Sequence, residues 1–207
     1  MWFSDEAHFY TNGYVISKNY VFWGSEKHTE VYQKGVHEKK VTAWAAFSHQ
    51  GIIGPFFFLD DEDNTVTVTS QRYLSILKKF WVGLGRRVGV AERQNQWFQQ
   101  DGAAPHTSRT VKEWLNRHFG VKVISRGTNH PWSSHSPDLS PLDFHLWGYL
   151  KDKMLGQSFD SREDLRDAII EHVKDIEAIQ FHRVIEHFIE RIKMCISRKG
   201  GHLEHLL

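Results

Sequence analysis

Asp5, Asp101 and Asp143 are the side chains of this sequence best suited to act together on a substrate. Hard divalent cations such as magnesium take oxygen ligands and keep several waters, so a few carboxylates carried on rigid elements suit them better than a closed protein cage. Asp5 falls in a first extended segment, Asp101 ends a later one, and Asp143 sits just inside a helix begun by Ser140-Pro141. Two carboxylates about 4 Å apart repel by on the order of 4 kcal/mol at an effective dielectric near 20. Three such pairs would rival a domain's whole stability of roughly 5 to 15 kcal/mol. Clustering therefore calls for protons or cations, and at neutral pH cations are the useful solution.

Each aspartate also has a plainer reading. Asp143 follows Ser140 by three, the spacing of a capping box, and a helix N-terminus favours an anion whatever the function. Asp101 precedes Gly102 and reads as a turn residue, and Asp5 beside Glu6 reads as a solvated strand position. Only the set points to a site. Zinc chemistry has little support: there is no HExxH, the single Cys195 excludes a cysteine cluster or an internal disulfide, and the close pair His202 and His205 falls in an expected tail.

The elements that must position these residues follow from periodicity. Trp2 to Phe9, Tyr14 to Trp23, Val41 to Phe47 and Ile52 to Leu59 read as extended segments separated by turn residues, an antiparallel meander. Tyr73, Leu77, Phe80, Trp81 and Leu84 predict a helix with Ser70 available as its cap. A short strand over Gln96–Gln100 leads to a helix bearing Val111, Trp114, Leu115 and Phe119, closed by Gly120, and then to a strand over Val121–Ser125. That succession implies a parallel crossover, hence a mixed sheet with helices on both faces. Arg126 to about Pro137 reads as a functional loop. Ser161 with Asp164 caps a helix carrying Leu165, Ile169, Val173 and Ile176. Phe181, Val184, Ile185, Phe188, Ile189 and Ile192 mark a last helix ended by Gly200-Gly201. Phe56 to Phe58 read as buried strand, and Trp147 and Tyr149 as packing residues.

With 207 residues, 40% of them hydrophobic and eight of them Trp, the chain is long enough for one substantial aromatic core. Lys plus Arg number 26 against 25 Asp plus Glu, so a net charge of +1 offers no whole-molecule field for nucleic acid, and any such contact must use local patches. No run approaches the roughly 20 apolar residues of a membrane span, and no secretory leader pattern is present, so a soluble intracellular protein is expected.

FSDEAHF (3 to 9), FQQDGAAPHT (98 to 107) and SPDLSPLDFHLWGYLKDK (136 to 153) resemble, in order, the three acidic motifs of mariner-superfamily DNA transposases. WGSE (23 to 26) and RKGGHLE (198 to 204) are similar to flanking segments of insect members. The resemblance implies an α/β, ribonuclease H-like fold: antiparallel strands first, parallel strands after, flanked by helices, with residues 1–157 as the core and 158–207 as a helical extension of the same domain. It implies that Asp5, Asp101 and Asp143 are the catalytic metal ligands for two magnesium or manganese ions, and that Asp138 is structural. The 41 positions from 102 to 142 match a long-spacing, insect-type branch. Two ions about 3.5 to 4 Å apart would support in-line displacement at phosphorus, so one site both cuts and joins DNA.

The resemblance further implies transposon-end and target DNA as partners, a homodimer in the full-length protein, a nuclear location, no membrane and no small-molecule substrate. His106, Arg109, Lys112 and Arg126 are candidate DNA contacts, with helix-start hydrogen bonding to backbone as the other reading of His106. Relatives carry helix-turn-helix domains ahead of the first catalytic strand and a tryptophan, two prolines and an arginine where this chain has Pro131-Trp132-Ser133-Ser134-His135. The expectation is therefore a nuclease domain without specific end recognition and with impaired activity. The competing readings are an inactive or domesticated remnant that binds DNA or protein, and a ribonuclease H-type hydrolase.

Overall fold

The computed structural model of the chain describes residues 1–13, 39–133 and 136–200. The segment expected as a strand at Tyr14–Trp23, the WGSE motif, Ser134, His135, His202 and His205 lie outside the described residues. Strands β1 (Trp2–Tyr10), β2 (Lys40–Ser48) and β3 (Gly51–Phe57) form the expected antiparallel part of the sheet. Helix α1 (Ser70–Val88), strand β4 (Phe98–Gln99), helix α2 (Arg109–Phe119) and strand β5 (Val123–Ile124) follow. β4 pairs with β1 and β5 with β4, both in parallel, giving the order β3-β2-β1-β4-β5.

The sheet is covered on both faces, which is why β1 and β2 are apolar on both sides of the pleat. Phe3, Ala7, Phe9, Ala43, Ala45 and Phe47 belong to one core, and Trp2, Trp44 and Ala46 belong to the other, beneath α1 and α2. The first core is closed by α3 (Trp147–Met154), α4 (Arg162–Lys174) and α5 (Ala178–Ser197). Phe188 of α5 meets Phe3 edge-on with ring centroids 4.6 Å apart, so the C-terminal helices share their core with the central strand.

Several boundaries differ from the sequence expectation for local reasons. Thr69, not Ser70, caps α1 by accepting the Arg72 N–H at 3.4 Å. β4 and β5 are two residues each, β4 lying between a tight turn at Arg93–Asn95 and the departure of the chain at Asp101. Their hydrogen bonding nevertheless extends further: Trp2 N donates to Trp97 O at 2.8 Å and Gln100 N to Ile124 O at 3.1 Å. The Ser161–Asp164 capping box is present as read. α5 stops at Ser197, before Gly200-Gly201, and its stripe is narrower than expected: Ile189 is 46% exposed, whereas Arg191 is 7% exposed. Of the aromatic run at residues 56–58, only Phe58 is fully enclosed. No helix among the described residues is long and apolar enough to cross a membrane.

Candidate active site

Asp5 occupies the middle of β1, on the pleat face of Phe3 and Ala7. Phe3 pairs with Gln99 in the neighbouring parallel strand, so extending that register by two residues brings Asp101 abreast of Asp5 where the strands part. Adjacent strands lie about 4.8 Å apart, so the second acid arrives next to the first by sheet topology alone.

Asp143 comes from above that face. Residues Leu142–Leu146 form a π turn leading into α3, a local widening of the helix that recurs at functional sites. Ser140 Oγ accepts the Asp143 N–H at 3.4 Å, but the reciprocal half of the expected capping box is absent, because the Ser140 N–H donates to the Pro137 carbonyl at 3.0 Å and Pro141 stands at the N-cap. Four residues on, Trp147 lies on the same helical face and its indole Nε1 donates to Asp5 Oδ2 at 2.8 Å. This bond joins the third acidic segment to the first across 142 positions of chain.

Asp143 is linked electrostatically to both of the other acids. Burial first, then Asp143 and Glu6, push the Asp5 carboxyl well above its usual range. Burial, reinforced by Asp101, lifts Asp143 to about 6 against the opposing influence of Ser140, Lys151 and a hydrogen bond with Asp5. Asp101 is held low: burial would raise it, but hydrogen bonding and the charge of His106 outweigh that. Lys151, 4% exposed and a further turn along the face of Asp143 and Trp147, is brought down to about 8 by burial even though Asp143 and Asp5 pull it upward. Among the described residues, no group of three histidine, cysteine or acidic side chains is already gathered tightly enough to hold a metal ion.

His106 is not placed as a DNA contact. It is 4% exposed, stacked on Tyr73 at 4.0 Å between centroids, with Nε2 3.0 Å from Glu6 Oε1 and Nδ1 2.5 Å from Asp101 Oδ1. Burial alone would lower its pKa, yet the flanking charge of Glu6 and hydrogen bonds to Asp101 and Glu6 hold it up to about 10. Arg109 is exposed and engaged with Glu113 at 2.8 Å. Arg126 is exposed, its stem packed so close to Gly102 that a β-carbon there would lie 3.0 Å from Arg126 Cβ. Lys112 is half-buried, with its ammonium against Gly127. Arg126 thus packs beside Asp101 through Gly102, and Lys112 lies against Gly127, the residue after Arg126.

Asp138 is buried, and its backbone carbonyl accepts from Arg191 Nη1 at 3.0 Å. The guanidinium of Arg191 also lies 4.2 Å above the Phe144 ring, next to Asp143 in sequence. Glu6, Trp147 as a partner of Asp5, Lys151 and Arg191 were not foreseen as parts of the site. The spacing 143, 147, 151 is a signal that could have found two of them, since residues four apart share a helical face.

No family model matches the chain. It is 30% identical over 140 residues to the mariner Mos1 transposase of Drosophila mauritiana, covering 67% of this chain and 39% of that protein. It is 32% identical over 110 residues to the Tcb2 transposase of a transposable element of Caenorhabditis briggsae, covering 50% and 35%. It is also 25% identical over 170 residues to the human histone-lysine N-methyltransferase SETMAR, covering 82% and 23%. The chain thus spans well under half the length of the curated relatives it matches. In fold it matches the pre-cleavage Mos1 transpososome over 97% of its length and 56% of that chain, with a TM-score of 0.79 at 22% identity. The isolated Mos1 catalytic domain matches over 97% and 82%, with a TM-score of 0.73 at 22% identity. Sequence relationship to two transposases, together with the ribonuclease H-like fold of the Mos1 catalytic domain, places this chain in the mariner-like transposase family.

Proposed function

We propose that the chain is the catalytic domain of a cut-and-paste DNA transposase, cutting DNA strands and joining them with two divalent cations, magnesium or manganese, held by Asp5, Asp101 and Asp143. One observation carries this reading. Where the Trp147–Asp5 hydrogen bond joins the π turn to β1, the buried carboxyls of Asp5 and Asp143 are both raised, by burial first and then by neighbouring carboxylates, Asp143 acting on Asp5 and Asp101 on Asp143. Such a pair holds more negative charge than its surroundings neutralise, and its donors are all hard oxygens, so the residues fit a divalent cation. The related Mos1 transposase has been solved with manganese and with magnesium, which agrees with that choice.

Bound cations would supply Lewis-acid stabilisation of the charge that develops at phosphorus. The chain's own residues hold and orient. Trp147 fixes one oxygen of Asp5, His106 and the Ala103 N–H fix one oxygen of Asp101, and Ser140 sets the start of the turn that carries Asp143. Lys112 and Arg126 are placed to neutralise backbone phosphates of transposon-end or target DNA, contacts that position the duplex without reading its sequence. Mos1 complexes with paired transposon ends support DNA as the partner. A homodimer and a nuclear location belong to the same proposal.

The test is metal-dependent nicking of DNA by the purified chain. Asp101→Asn should lose nicking in magnesium and in manganese while retaining its circular dichroism spectrum. Nicking at the wild-type rate in that variant would refute the assignment. A folded wild-type chain with no nicking under either ion would instead favour a non-catalytic remnant.

A further inference from the structure

Glu6 stands next to Asp5 in sequence but cannot share its task. Side chains alternate across a strand, so Asp5 faces Trp147 while Glu6 faces the opposite layer, where Tyr73 and His106 lie. There its carboxylate is 14% exposed and contacts His106 Nε2 at 3.0 Å. The other ring nitrogen reaches Asp101 Oδ1 at 2.5 Å, and the Ala103 N–H donates to that same oxygen at 3.0 Å. Oδ1 of Asp101 is therefore held twice, while among the described residues Oδ2 accepts no hydrogen bond.

The histidine is itself immobilised. Its ring stacks on Tyr73, and its carbonyl accepts from Gln100 Nε2 at 2.9 Å. Gln100 is fixed in turn by the Tyr73 hydroxyl at 2.9 Å and by Ser125 Oγ at 3.2 Å. A carboxylate stands against each ring nitrogen, so a single immobilised imidazole bridges Glu6 and Asp101.

We propose that Glu6 and His106 form a positioning clamp that sets the rotamer of Asp101 and leaves its Oδ2 directed at the cation site. This inference rests on the metal-binding reading above. Groups that hydrogen-bond a ligating side chain usually change metal affinity by roughly 10- to 100-fold when removed. A residue that merely ties the turn after β4 to β1 would lower the unfolding temperature and leave the affinity of the folded protein alone.

The experiment is a manganese titration of the 207-residue chain, followed by electron paramagnetic resonance, with thermal unfolding measured on the same samples. Glu6→Gln and His106→Gln should each remain folded at the titration temperature and bind manganese roughly 10- to 100-fold more weakly. Glu6→Asp should recover part of the loss. Wild-type affinity in the folded Glu6→Gln or His106→Gln protein overturns the clamp. If Glu6→Gln does not fold, His106→Gln decides by the same criterion. Asp101→Asn separates the two levels: if it too binds manganese as wild type does, the metal-site reading has failed, and the clamp falls with it.

Discussion

Replacing Asp143 with Asn should make the metal-free protein more stable while abolishing the proposed metal-dependent nicking. The carboxyl of Asp143 is raised from 3.8 to about 6, with burial the largest cause and the charge of Asp101 adding to it. A folded-state pKa above the unfolded one means that the native state binds the proton more tightly. The stabilisation is complete below about pH 4 and is lost as pH rises through about 6. Two units correspond to about 3 kcal/mol, an upper bound because the group is partly exposed and water screens it. A realistic cost to the ionised wild type is about 1 to 2 kcal/mol, or roughly 3 to 6 °C in unfolding temperature for a domain of this size. Asparagine carries no charge and keeps an oxygen for Ser140. In thermal unfolding with chelator, Asp143→Asn should therefore exceed wild type at pH 8 and converge on it near pH 4. Manganese should raise the wild-type transition at pH 8 and leave the variant unmoved. A variant less stable than wild type at pH 8, or an advantage that does not change with pH, would refute the electrostatic account of this site.

Two other perturbations probe the surroundings. Arg191→Met removes the guanidinium that holds the Asp138 carbonyl and caps the Phe144 ring, but it also removes a buried charge whose Nε has no hydrogen-bond partner among the described residues. A charged hydrogen bond contributes about 1.5 to 3 kcal/mol and a buried unsatisfied group costs about 1 to 3, so chemical denaturation should shift by less than about 2 kcal/mol. Nicking, which needs the following turn in place, should fall at least tenfold, and full activity would remove Arg191 from the site's support. Lys112→Ala with Arg126→Ala should weaken DNA binding uniformly across sequences and reduce the slope of log affinity against log salt by about 2, since each phosphate contact contributes roughly one. Arg109→Ala, already engaged by Glu113, is the control and should change that slope least.

Much of the architecture is written in local pattern. The apolar extended segments of β1 and β2, the helical spacing of Tyr73 through Leu84, the Ser161–Asp164 cap and the three acidic motifs can each be read from a window of a few residues. Those windows contain their own cause, because a strand's period, a helix's period and a cap's hydrogen bonds all act between near neighbours. The pairings that make the site lie beyond any such window. His106 reads locally as a helix-start residue or a phosphate contact, and only the packing of β1 against the turn after β4 shows it buried between Glu6 and Asp101. Trp147 reads as a core residue, which it is, yet its indole N–H finds Asp5 because α3 crosses that particular position of the central strand. Arg191, three residues after Phe188 and seven after Val184, lies at the edge of the apolar stripe of α5, but nothing local shows what its charge meets until α5 docks on the segment before Asp143. Residue type and short-range order decide which groups are present and which way each leaves its own strand or helix. Strand order and helix docking, set by how two separate apolar faces of one sheet are covered, decide which of those groups meet.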